Sequence, residues 1–317
     1  MSRTNSRAWL LAACLIAGAP MAQAQTPPPA TASQPTGDQQ RFATAETAMA
    51  ALKAALAKGD VEDFITLFGK SHEDLIVGAD RVETQAERRR AAVLAKQRIA
   101  LEHDGDDRAL VALGTDAWLL PIPLVRKDGQ WFFDTAAGEE EVLARRIGRD
   151  ELGAIDAVKA LVAAEQSYAA RHKKAGKPAA FAPYIQSSPG LADGLWWNET
   201  TAKRQGPSPL AKFVGVQREF IVGRQPGDPF RGYYFRVLTA QGEHAPGGAM
   251  SYFDGDGAMT KGFAVIAWPA DYRNSGIMTF IAGRDGHVLQ KDLGEDTDAL
   301  AQGLLAYDPD DSWKPVQ

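Results

Sequence analysis

The chain has 317 residues, with 35 Lys and Arg against 40 Asp and Glu, for a formal charge of −5. A mildly acidic chain lacks the basic footprint of a general nucleic-acid binder. Its single cysteine, Cys14, excludes a disulfide framework and paired-thiol chemistry.

In chain order, Arg3 and Arg7 flank an uncharged, mostly apolar run over 8–19, and Ala22-Gln23-Ala24 supplies the small-x-small pattern of a signal peptidase site. The run is shorter than the ~20 residues needed to span a hydrocarbon core. The expectation is export to the periplasm, cleavage after Ala24, and no transmembrane segment in the mature chain. Leu11-Ala-Ala-Cys14 also resembles a lipoprotein box, which makes anchoring at Cys14 the minor alternative. Residues 25–40, rich in Pro, Thr and Gln, read as a flexible tether.

Residues 41–138 carry the pattern of a first domain. Thr44 caps a helix with an apolar side at Ala48, Leu52, Ala55 and Leu56, and Gly59 ends it. Asp60 caps a second helix burying Phe64, Leu67 and Phe68, and Thr84-Gln-Ala-Glu87 predicts the start of a third. The period then changes to strands at 109–113 and 118–125, and Asp128-Gly129 turns the chain into Trp131-Phe-Phe133. Pro121 and Pro123 each lack a ladder donor, so the middle strand is not an ordinary central one.

Residues 139–317 predict a second domain. A long helix over 139–171 repeats apolar residues at three- and four-residue steps, with a break or kink expected near Gly148. Strands follow over 232–240, 263–268, 277–281 and 288–293, the last pair joined at Asp285-Gly286. The Gly- and Pro-rich stretch 176–230 between helix and sheet reads as a segment that wraps a core or forms a site. The expected class is α+β, two packed domains, the first two or three helices on a strongly bent antiparallel sheet and the second a long helix packed on an antiparallel meander.

Several blocks resemble, in order, the bacterial domain-of-unknown-function family 2950. They include Ile122-Pro-Leu-Val-Arg-Lys-Asp-Gly-Gln-Trp131, Phe133-Asp-Thr-Ala-Ala-Gly138, Arg145-Arg-Ile-Gly-Arg-Asp-Glu-Leu152, Asp193-Gly-Leu-Trp196 and Gln290-Lys-Asp-Leu-Gly294. The resemblance implies an exported protein of unknown role and supplies no active site. The family's acidic, glycine-containing loop after the long helix is replaced here by Arg171-His-Lys-Lys-Ala-Gly-Lys177. More loosely, the second half is similar to the globular heads of type IV pilins and pseudopilins, and the first half resembles a nuclear-transport-factor-like (NTF2-like) domain.

No catalytic set emerges. Asp254-Gly-Asp256 lacks the remaining ligands of a calcium loop, and the five histidines form no zinc spacing. Ser275 has no predicted base, and neither a metal nor a cofactor is expected. The candidate binding cleft gathers Asp193, Trp196, Tyr234, Arg236, Tyr272, Lys291 and Asp292, where aromatic area and mixed charge suit a zwitterionic or anionic group. Trp196 is also the expected anchor of the 176–230 segment. The functional expectation is a noncatalytic periplasmic binding, scaffold or assembly-accessory protein, whose partner is an envelope protein or a small ligand. A hydrolase acting on an envelope glycan, peptide or lipid is one alternative, and a pilin-like structural subunit another.

Overall fold

The computed structural model describes residues 33–34, 39–176, 178–212 and 227–316. The export signal falls outside the described residues, as does most of the tether. Helix α1 (Ala45–Lys58) opens with a reciprocal Thr44–Thr47 cap and ends at Gly59, whose φ of 77° suits glycine. Asp60 caps α2 (Val61–Phe68), and a short α3 (Glu73–Val77) leads to α4 (Arg81–Gln97). This last helix starts a turn before the predicted Thr84 box. The Asp80 carboxylate already accepts the Glu83 amide, and the Thr84 hydroxyl turns back to the Asp80 carbonyl at 2.8 Å. An aspartate cap competes successfully with the threonine three residues on.

Strands β1 (Ile99–His103), β2 (Arg108–Leu113), β3 (Trp118–Leu119), β4 (Leu124–Lys127) and β5 (Gln130–Phe133) form an antiparallel sheet in the order β1-β2-β4-β5, with β3 on β2. The predicted strand over 118–125 is therefore two pieces, divided where Pro121 and Pro123 cannot donate. Strand β1 was not foreseen. Asp128 and Gly129 both adopt positive φ, 52° and 76°, the geometry of a tight hairpin turn. Leu52, Leu67, Leu113, Leu124 and Phe133 are fully buried between this sheet and the helices.

Helix α5 (Thr135–Lys174) runs 40 residues from an Asp134 cap that accepts the Ala137 amide at 3.1 Å. It passes through Gly148 without interruption. Glycine costs ~1 kcal/mol against alanine, and burial of the helix on both sides of that point offsets it. Gly138 and Val142 meet the first core, whereas Ala154, Val158, Leu161 and Ala164 belong to a second. The expected boundary at 138/139 thus falls inside the helix's first turns.

Beyond α5, β6 (Tyr184–Gln186) and β7 (Gly194–Trp196) pair in parallel, and α6 (Glu199–Gln205) follows. Strands β8 (Tyr233–Leu238), β9 (Ala240–Gln241), β10 (Met250–Ser251), β11 (Ala264–Pro269), β12 (Met278–Gly283) and β13 (Val288–Asp292), helix α7 (Thr297–Gly303) and β14 (Lys314–Pro315) complete the chain. The larger sheet has the order β14-β13-β12-β11-β8, antiparallel throughout, with β9 and β10 paired separately. Helices α5 and α7 both pack on it. Alternation puts Tyr233 toward α5 and Tyr234, Arg236 and Trp268 toward α7. The fold is α+β, and residues from Ala32 onward form one compact unit. Among the described residues no helix is long and apolar enough to cross a membrane.

Candidate functional site

The first core is not filled. A cavity of about 390 Å³ opens between α1, α2, α4 and the start of α5, above β2 and the segment leading to β4. Leu52, Leu56, Phe64 and Phe68 line it from the first two helices, and Leu113, Leu120 and Ile122 from the sheet side. The local cause is α4. Of its residues at the cavity only Ala91 and Leu94 are apolar, both half-buried, and the rest are Thr84, Glu87, Arg88 and Arg90. A helix that sends so few apolar side chains toward a leucine- and phenylalanine-faced pair leaves volume that no side chain occupies.

Five arginines also line the cavity: Arg88, Arg90, Arg145, Arg146 and Arg149. Four are already engaged. Arg90 pairs with Glu83 at 2.7 Å. Arg145 pairs with Glu141 at 2.6 Å, donates to the Leu119 carbonyl, and lies 5.5 Å over the Trp118 ring. Arg146, almost fully buried, donates to the Leu75 carbonyl and to Asn274. Arg149 pairs with Glu87 and with Asp150, the latter at 2.9 Å.

Arg88 differs. Its guanidinium lies 5.9 Å over the Phe64 ring, and a weak 3.5 Å approach to the Ile76 carbonyl is its one hydrogen bond. Its Nε is buried with no partner, and among the described residues no carboxylate reaches it. Burial lowers its pKa, though a guanidinium remains charged at any relevant pH. Asp150, which pairs with Arg149 behind the wall, is pushed up to about 6, chiefly by burial, with Arg149 and Arg146 pulling the other way.

The residues of the sequence-derived cleft fall into separate groups in the second half, with Tyr234 and Arg236 both on Trp268. Tyr272 and Asp292 do meet, hydroxyl to carboxylate at 3.0 Å. Arg236 instead donates to the carbonyls of Ala301, Gln302 and Leu304, capping the end of α7, and lies 5.6 Å over Trp268. Lys291 lies over the Trp313 ring, and Asp193 accepts both the amide and the hydroxyl of Ser188, closing its own loop. Tyr234 packs against Trp268 with the rings tilted and their centroids 5.6 Å apart. Trp196 is half-buried against the second core, while Leu195 and Trp197 are the deeply buried anchors of that segment.

The other motifs serve their own turns. Asp254 accepts the amides of Asp256 and Ala258 and the Thr260 hydroxyl. Ser275 exchanges hydrogen bonds with the main chain of Asp271, and among the described residues no side-chain base is hydrogen-bonded to it. The cavity and Arg88 escaped sequence reasoning because its signal is subtle: Ala86-Glu-Arg-Arg-Arg90 places more arginines on one helix than nearby acids can pair.

The chain matches no curated protein and no solved structure, so the likeness of the second half to pilin heads has no support from known structures. A family described as "Protein of unknown function (DUF2950)" matches residues 39–316, which takes in both sheets, α5 and the cavity, and the chain belongs to that family.

Proposed function

We propose that this is an exported, noncatalytic binding protein that holds a small ligand with an apolar body in the first-half cavity. One observation carries the reading: an open cavity of about 390 Å³ with a leucine- and phenylalanine-rich wall inside an otherwise closed core. That volume lies in the range of ligand sites, about 300–1,000 Å³. The export pattern of residues 1–24 favours a periplasmic setting, where an envelope-derived ligand or partner is at hand. We read residues 41–138 as an NTF2-like domain because helices and a divided antiparallel sheet enclose the cavity, and residues 139–317 as a second domain built on the larger sheet. For the hydrolase alternative, the described residues of the cavity wall offer arginines and one paired glutamate, and no nucleophile hydrogen-bonded to a base.

The test is binding of a neutral solvatochromic dye such as Nile red to the full chain. The expected result is a saturable, blue-shifted signal that is lost when Ala91→Phe fills the cavity and kept when an exposed residue of the second half, Leu300, is changed to Ser. Equal dye binding by both variants overturns the reading.

A further inference from the structure

We propose that the cavity ligand is a single-chain carboxylic acid, its tail among the leucines and phenylalanines and its carboxylate on the guanidinium of Arg88. The proposal rests on the cavity reading above and names the ligand class.

The argument starts from charge. A cation beside apolar walls is costly unless it is paired and hydrogen-bonded. Of the other four arginines of the wall, Arg90, Arg145 and Arg149 are paired through Glu83, Glu141, Glu87 and Asp150, and Arg146 is held by hydrogen bonds to the Leu75 carbonyl and the Asn274 amide oxygen. Arg88 lacks such partners: it lines the cavity, and among the described residues no carboxylate pairs with it and its hydrogen bond to the Ile76 carbonyl is a weak 3.5 Å.

Geometry selects the anion. The terminal nitrogens of a guanidinium form a planar fork that matches the two oxygens of a carboxylate. One uncommitted guanidinium neutralises one negative charge, which suits a carboxylate better than a doubly charged phosphate monoester. Glu87 on the same wall is already engaged by Arg149. Volume limits the tail. The space corresponds to about a dozen water molecules, and a methylene takes up a similar share, so a chain of about ten to twelve carbons fits.

The experiment is displacement of Nile red from the full chain by dodecanoate, dodecanol and dodecyltrimethylammonium, with Arg88→Gln and Arg88→Lys as variants. Dodecanoate should displace the dye at a concentration about tenfold or more below that of dodecanol, the scale of a charge-assisted hydrogen bond. Arg88→Gln should raise the dodecanoate midpoint by a similar factor and leave dodecanol unchanged, and Arg88→Lys should recover part of the loss. Dodecyltrimethylammonium should be the weakest of the three. A second measurement needs no variant: dodecanoate displacement should weaken as the pH falls through about 4, where the ligand is protonated, while dodecanol displacement stays flat. Equal displacement by acid and alcohol at neutral pH, or equal loss for both in Arg88→Gln, overturns the carboxylate assignment and leaves the cavity reading standing. Failure of both acid and alcohol to displace the dye overturns the two together.

Discussion

Glu87 on α4 and Arg149 on α5 form an ion pair on the cavity wall, joining the two helices across the space between them. Glu87 is the one carboxylate among the described residues of that wall, so it repels an acid bound at Arg88. Glu87→Gln should strengthen dodecanoate binding about threefold to tenfold and leave dodecanol unaffected. The pair is partly exposed, so the stability cost should stay within about 1 kcal/mol. Titration of both ligands beside a thermal melt checks it, and a weakened acid affinity would count against the head-group position.

Arg88→Met should raise the melting temperature of the ligand-free chain. The substitution removes an incompletely paired, partly buried cation while keeping an unbranched chain against Phe64. A gain of about 2 °C is the expected scale for a fraction of a kcal/mol to 1 kcal/mol. Differential scanning calorimetry with and without dodecanoate measures it. Ligand should stabilise the wild type and have little effect on the variant.

Gly138→Ala should destabilise the chain by about 2 kcal/mol. A Cβ at Gly138 would lie 2.7 Å from the Pro121 carbonyl oxygen and 2.8 Å from the Ile122 Cα, main-chain atoms that cannot step aside. Alanine normally favours a helix, so a loss in urea denaturation would show that close approach of α5 to the segment between β3 and β4 outweighs helix propensity.

Stability should fall with rising pH on the alkaline side of 5. Glu165 on α5 is fully buried and accepts the Ala182 amide at 2.9 Å, and burial pushes its carboxyl up to about 8. Between the ordinary carboxyl range and that value the folded chain holds a proton the unfolded chain has released. The contribution is therefore full at acid pH and is lost as the pH rises through about 8. Asp150, at about 6, acts in the same direction over a narrower window. Glu165→Gln should flatten the profile, as read by urea midpoints between pH 5 and pH 9. An unchanged slope would show that Glu165 is ionised in the folded chain.

Trp197→Ala should cost about 3 kcal/mol, and Trp196→Ala clearly less. Trp197 is nearly inaccessible, its Nε1 donates to the Gly206 carbonyl at 2.9 Å, and Arg171 covers its ring at 5.1 Å. Hydrogen exchange over residues 190–206 should accelerate in the first variant and little in the second.

The elements most legible in the sequence were those whose local chemistry is self-contained. The Thr44 and Asp60 caps, the Asp128-Gly129 and Asp285-Gly286 turns, and the strands between them depend on neighbours in the chain. Elements fixed by distant partners were missed. Strand β1 exists because Ile99 to His103 pair with β2, and α7 ends where Arg236, more than sixty residues earlier, caps its carbonyls. Of the two adjacent tryptophans the sequence favoured Trp196, because nothing local says which ring the Gly206 carbonyl will meet. The cavity was invisible for a related reason. Periodicity reports which face of α4 turns inward, but it does not report that Ala91 and Leu94 there leave the space below the helix unfilled.

The length of α5, about 60 Å at the rise of an α-helix, gives the molecule a common axle. Residues near one end help close the first core, and those beyond Gly153 are indispensable to the second, so melting one core exposes helix that the other also needs. Unfolding the chain should therefore register as one transition in calorimetry, and a protease nick near Gly148 should release two fragments that each fail to refold alone.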